Sequence, residues 1–422
     1  MADRYFSPGL IFLLALVVAA SAGAETGEIK KGSVLTLGQC VDVALEHQPA
    51  IISAAQAKVA AESRVGEAKS AYYPQLNATA GYLQTRPVPS ATQNFQESSI
   101  GASLTQTIYD FGRTSSLVNA QKYSAEAAGS DVESAKNAVI LGVKAAYYAL
   151  VQSKRNAAVG KETVAQLGEH LELARGLFTA GEKPRYDVIK AEVDLSNAKI
   201  ALIHALNNER LAKAGLDNAM GVTADYDVAD DLEYKNYSVS LEEALKKAYE
   251  NRPDYRAATQ RAMMARETVE GSRSGYYPTL SGNAQYSTEQ SLPDFWFFGV
   301  TLTVPIFTGN STTYLVRESR ANYNAAVSAQ EQTRLNVYTE VSQAYLNLAE
   351  AQEKIPANEL SVKLSQESLD ISKGRYKEGV GTAIEVSDAQ ITFSNARVAY
   401  IQSLMDYKLA QATLEKAIGG TK

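Results

Sequence analysis

Residues able to do chemistry are few and scattered in this chain. Its three histidines, His47, His170 and His204, stand far apart, and Cys40 is the one cysteine. No spacing of these residues makes a metal site, and internal disulfides are excluded. Gly160-Lys161 has neither the glycine five residues earlier nor the Ser or Thr of a phosphate-binding loop. Paired carboxylates occur, but on helix surfaces, where solvated charge is the usual case. The net charge of −6 lacks the basic face that nucleic acid requires. The residues therefore point away from an enzyme, a metal, a cofactor and nucleic acid.

The elements are more informative. Arg4, the apolar run Leu10 to Ala20 and the small residues Ala22-Gly23-Ala24 read as a secretory signal over residues 1–24. Gln39 before Cys40 is the wrong residue for a lipoprotein cleavage box, so no lipid anchor is expected and Cys40 reads as a buried free thiol. No later segment has the length and apolarity of a membrane-spanning helix, and the mean hydropathy is −0.21.

The sequence is written twice. LTLGQCVDVALEHQP from Leu35 is matched by VSLEEALKKAYENRP from Val239, and Tyr72-Tyr73-Pro74 by Tyr276-Tyr277-Pro278. Further on, Ala146-Tyr147 falls on Ala344-Tyr345, Gly181 on Gly379 and Gly221 on Gly419. The copies cover roughly 34–225 and 237–420, within structural repeats 25–230 and 231–422, and the acidic stretch Asp225 to Asp231 joins them.

Each copy reads as helix, two strands, a very long helix and a helix. In the first long helix Val143, Leu150, Ala157, Val164, Leu171 and Phe178 recur every seven residues. Ala125, Val132, Val139 and Ala146 form the partner series, joined later by Leu167 and Ala174, which gives a sustained coiled-coil seam. Gly181 and Pro184 reverse the chain into a second helix from Arg185 to about Met220. Pro356 interrupts the second long helix, and a kink or break is expected there.

Strands are expected near 75–86, 98–110, 279–288 and 296–307, each alternating apolar and polar residues. A soluble sheet with one wet face gives the same alternation. Two features favour lipid instead: the aromatics Tyr72, Tyr73, Tyr276, Tyr277, Trp296 and Phe297 flank the strands like an interfacial girdle, and a lone soluble hairpin is marginal. Four strands cannot close a barrel, so several chains must contribute. Two chains give 8 strands, whose interior side chains fill; three give 12 and leave a lumen.

Together these residues resemble the TolC family of outer-membrane efflux proteins. The likeness rests on both Tyr-Tyr-Pro elements, on Asp110-Phe111-Gly112 and Ile306-Phe307-Thr308-Gly309 after the second strands, and on Arg375-Tyr376 with Gly379 at the second turn. Val386-Ser387-Asp388-Ala389 and Asn395-Ala396 extend it. The resemblance implies an α+β membrane protein: a homotrimer whose 12-stranded β-barrel, four strands per chain, sits in outer-membrane lipid and continues as an α-helical coiled-coil barrel through the periplasm. It implies a passive exit duct for a tripartite efflux pump or a type I secretion system, with a periplasmic adaptor protein and an inner-membrane pump as partners. It also implies an acidic constriction ring at Glu385 and Asp388, a tip latch at Tyr376, Asp187 and Arg185, and adaptor docking at the turns around Gly181 and Gly379. A basic residue that usually helps the latch is replaced by Gly381, so Arg185 or Lys183 would have to serve. The alternative is a periplasmic coiled-coil scaffold without a pore, which leaves the strands unexplained.

Overall fold

The computed structural model describes residues 32–85, 95–289 and 292–420; the expected signal peptide lies outside them. The first copy runs β1 (Ser33–Leu35), α1 (Leu37–His47), α2 (Pro49–Lys69), β2 (Gln75–Thr85), β3 (Phe95–Tyr109), α3 (Arg113–Thr179) and α4 (Arg185–Met220). After β4 (Tyr226–Val228) the second copy runs α5 (Leu241–Asn251), α6 (Pro253–Arg273), β5 (Thr279–Glu289), β6 (Leu292–Thr303), α7 (Ser311–Lys377) and α8 (Ala383–Ala417). Both α3 and α7 are 67 residues long, about 100 Å at 1.5 Å per residue.

Local chemistry repeats with the sequence. Thr36 caps α1 in a capping box with Gln39, and Ser240 caps α5 through the Glu243 amide. Pro49 and Pro253 then open α2 and α6 at the first helical position, where a missing amide costs nothing. At these corners Gln48 donates to the carbonyls of Asn218 and Ala219, the end of α4. The matching Arg252, buried, reaches the carbonyl of Ala417 at 3.4 Å and the carboxylates of Asp254 and Glu340 at 2.6 and 2.7 Å. The last glycine of each copy abuts the same corner. A Cβ on Gly221 would meet the His47 carbonyl oxygen at 3.0 Å, and one on Gly419 would meet the Asn251 carbonyl carbon at 2.7 Å.

The four longer strands form one antiparallel sheet in the order β2-β3-β5-β6, with β2 and β6 at its open edges. Its register gathers the alternating residues into two continuous faces. Leu76, Ala78, Leu104, Ala102, Ala284, Tyr286, Phe298 and Trp296 are cross-strand neighbours on one face. Asn77, Thr79, Ser103, Thr105, Asn283, Gln285 and Thr301 lie on the other. The apolar face is uncovered, with Trp296 70% and Phe298 79% exposed. β6 begins at Leu292 and ends at Thr303, short of the expected 307, because Pro305 has no amide to continue the ladder. Trp296 and Phe297 were expected together in one girdle. They are consecutive residues of a strand, so only Trp296 joins the apolar face, while Phe297 pairs with Gln285 on the polar one.

The seam of α3 is largely as its heptads indicate: Val132, Val143, Leu150, Ala157, Leu167, Leu171 and Ala174 are buried, although Phe178 is exposed at the turn. Pro356 does not break α7, which runs through it. The ring lies on an exposed face beside buried Ile355. The acidic stretch between the copies is more than a joint. Its β4 pairs in parallel with β1, and Tyr226 and Val228 enter the main core. That core lies where α1, α5 and the ends of α4 and α8 meet the middles of α3 and α7, and it includes Cys40, Val143, Tyr147, Leu216, Val341, Tyr407 and Leu414. Burial and the charge of Asp231 push the Cys40 thiol up to about 11, so it is an inert core residue.

The end glycines give a stability test. Gly181 and Gly419 both have positive φ, but only Gly419 is packed against backbone. Gly181→Ala is expected to cost about 1 kcal/mol for the left-handed conformation. Gly419→Ala should cost clearly more in thermal unfolding of the detergent-solubilised protein; equal losses would refute the corner contact.

Candidate functional site at the helical tip

Far from the sheet, α3 turns into α4 and α7 into α8 with the same geometry. Gly181 (φ 81) and Gly379 (φ 82) take the left-handed conformation. The amides of Gly181 and Glu182 bond the Phe178 and Leu177 carbonyls, and those of Gly379 and Val380 bond the Tyr376 and Arg375 carbonyls. This is how a glycine closes the free carbonyls of a helix end. The two expected docking turns therefore stand side by side.

Between them the structure brings Tyr376 and Asp187 together. The Tyr376 hydroxyl donates to Asp187 Oδ2 at 3.2 Å, with the tyrosine wholly buried and the carboxylate 8% exposed. Burial, then the Asp187 charge, pushes the phenol up to about 12, so it stays a donor at neutral pH. Arg185 stands exposed on the first turn of α4. The basic group is instead Lys183, whose Nζ donates to the carbonyls of Gly379 (3.2 Å) and Gly381 (2.9 Å) and lies 5.1 Å from the Tyr376 ring centre. Gly381 has a steric reason: a Cβ there would meet the Tyr376 nitrogen at 2.9 Å and the Arg375 carbonyl carbon at 3.0 Å. No side chain fits at that point of the second turn, and the cation comes across from the first.

A second polar contact lies two turns up α4. Lys190 Nζ donates to both oxygens of Asp194 at 2.6 Å and to Ser387 Oγ at 2.9 Å, and Ser387 itself donates to Asp194. Gln390 donates to Gln166 at 2.7 Å, and Thr163 shares a hydrogen bond with Ser394. The two helical hairpins of one chain thus meet near the tip largely through polar side chains, with Leu177 packed on Val386 and Tyr376 beside them, while each hairpin is apolar inside, as Leu171, Ala174 and Ala191 show. The sequence signal for Lys190 and Asp194 was their spacing, which puts them with Asp187 on one face of α4.

Glu385 and Asp388 occupy the first turns of α8, three residues apart and exposed on one face. Thr382 caps that helix by accepting from the Glu385 amide at 3.2 Å. Arg375 stands 3.5 Å from the Glu385 carboxylate, a solvent-exposed pair worth little energetically. At the far end of the molecule Tyr72, Tyr73, Tyr276 and Tyr277 are exposed where helices give way to strands. Tyr277 stacks on Phe111, ring centres 5.3 Å apart, and Asp110 caps α3 by accepting from the Thr114 amide. Among the described residues no group of side chains is placed to hold a metal, and no helix is long and apolar enough to cross a membrane.

The chain matches the family described as "Outer membrane efflux protein" over residues 40–222 and 244–420, one segment in each copy. It is 26% identical to the outer membrane protein TolC of Vibrio cholerae, with 96% of each chain covered. It is also 26% identical to the outer membrane efflux protein BepC of Brucella suis, over 96% of this chain and 90% of that one. The fold superposes on the Campylobacter jejuni CmeC outer membrane channel with a TM-score of 0.82, at 19% identity, covering 94% and 91% of the two chains.

The tip pair gives a direct test. Tyr376→Phe removes one hydroxyl and leaves Asp187 buried without that donor, a loss expected at about 1–3 kcal/mol in thermal unfolding. Lys183→Met should cost less, because its acceptors are backbone carbonyls at an open turn.

A four-stranded sheet with one apolar face, carried on paired hairpins about 100 Å long, agrees with the family match across both copies: the chain belongs to the TolC-type outer membrane efflux protein family and is an outer-membrane channel subunit, not an enzyme.

Proposed function

We propose that three copies assemble into one passive exit duct, each supplying a structural repeat pair (25–230 and 231–422) and four strands of a 12-stranded barrel in outer-membrane lipid. The observation that carries this is the sheet itself. Its apolar face is continuous across all four strands, and the edges β2 and β6 have no partner among the described residues. Lipid tolerates no open edge, so β6 of one copy must meet β2 of the next. The helices carry matching free surfaces. Ile189, Val193, Ile200, Ile203 and Leu211 form an exposed stripe along α4, and Leu346, Leu360, Leu364 and Ile371 form one along α7. Both recur at coiled-coil spacing and would bury against a neighbouring copy.

In this reading the hairpins continue the barrel as a tunnel through the periplasm. The turns around Gly181 and Gly379 meet a periplasmic adaptor, through which an inner-membrane pump delivers cargo, in a tripartite efflux pump or a type I secretion system. The Tyr376–Asp187 bond, with Lys183 in place of Arg185, latches one hairpin to the other. Glu385 and Asp388 from three copies form an acidic ring at the narrow end. Like charges at close quarters there attract cations and make the pore cation-selective.

Planar bilayers test both parts. The wild type should show a small, cation-selective conductance, and Glu385→Ala/Asp388→Ala should lose the selectivity while keeping the pore. An unchanged selectivity would remove the ring from the proposal. Failure to insert at all would remove the barrel.

A further inference from the structure

One titratable ring in the tip is unused by the latch. His170, on α3, is buried, and its ring centre lies 5.1 Å from that of Tyr376. It therefore sits directly behind the phenol that holds Asp187. We propose that His170 is the residue through which the tip reads pH: protonation of its ring loosens the packing behind Tyr376, releases the Tyr376–Asp187 bond and opens the duct. The inference rests on the latch reading above and adds its regulation.

The argument is geometric first. A protonated ring needs a hydrogen-bonding or charged partner when it is removed from water. The charged groups facing His170 are Asp187, Lys190 and Asp194 from α4 and Lys373 from α7, beside the phenol of Tyr376. From α8 the neutral Ser387 reaches the cluster through Asp194. Both carboxylates are already engaged, Asp194 by Lys190 and Ser387 and Asp187 by Tyr376. Lys183 adds a further cation beside the Tyr376 ring. A new positive charge on His170 thus competes with Tyr376 and Lys190 for the two carboxylates.

The direction of titration agrees. Burial holds the His170 ring below the ordinary histidine value of 6.5, against the pull of Asp194 and Asp187. The closed tip therefore binds fewer protons than an opened, solvated one. Its stabilisation is complete above 6.5 and is lost as pH falls below that value and through the ring's own lowered one.

The experiment is conductance of the full-length channel in planar bilayers, with the tip side taken from about pH 7.5 to about pH 5.5, on either side of the ordinary histidine value. Wild type is compared with His170→Gln and His170→Phe; the second keeps an aromatic ring behind Tyr376 and cannot titrate. A several-fold rise in open probability is expected in wild type and in neither variant, judged on the variant that matches wild type at the higher pH. A rise kept by that variant would assign the response to the carboxylates and overturn the proposal. So would no rise in wild type, or both variants standing open at the higher pH, which would make His170 a packing residue. Tyr376→Phe separates the two readings: it should be open at the higher pH, and if it stays closed the latch itself is wrong.

Discussion

In hydrocarbon an unpaired backbone amide has no water to turn to, and β2 and β6 each present a row of them at the edges of the sheet. Much of the rest of the structure follows from that constraint. In the proposed assembly a chain with four strands finds its closure in other copies, and its helices present surfaces to those copies. The exposed stripes on α4 and α7 are what such surfaces look like before they are covered. An isolated soluble protein would find so much exposed Leu, Ile, Phe and Trp a liability; in the proposed assembly the apolar area is divided between lipid and neighbours.

The helical half obeys a different rule. Near the tip, the long and short helices of each hairpin meet through apolar side chains. Between the hairpins of one chain the tip contacts are polar: Tyr376 with Asp187, Lys183 with two carbonyls, and Lys190 with Asp194 and Ser387. Polar contacts separate at lower cost than apolar ones when water can replace them, whereas a buried seam must expose its whole area to part. At the tip, the distribution of side chains therefore places the weak joint between the repeats, whereas an apolar core joins them at mid-length. The tip is also where Gly381 matters. Its lack of a side chain lets the second turn fold back on the end of α7, and Lys183 then reaches across from the first turn.

Much of this was legible in one dimension because the relevant signals are local and periodic. Alternation of two marked the strands, heptads marked α3, and the doubled Tyr-Tyr-Pro and glycine turns marked two copies of one unit. Where the reading missed, a nonlocal fact decided the outcome. β4 was read as an acidic joint because three residues carry no period, and only its partner β1 makes it a strand. Pro356 was expected to kink or break α7, and it does not break it: the helix continues with the ring on its exposed side. Phe297 was placed with Trp296 by proximity in sequence, although successive strand residues face opposite ways.

By itself, then, the sequence determined the period of the strands and of α3, the turns and the residue types at the tip, which depend on residues a few positions apart, and the duplication, which shows as one pattern written twice. Tertiary structure alone decided which polar groups meet. Asp187 and Tyr376 are separated by 189 residues, and His170 comes to lie behind them only because α3, α4 and α7 converge. Lys183 rather than Arg185 supplies the cation for the same reason: two adjacent basic side chains on one turn look alike in sequence, and the direction in which each leaves the backbone is set by how the two turns pack.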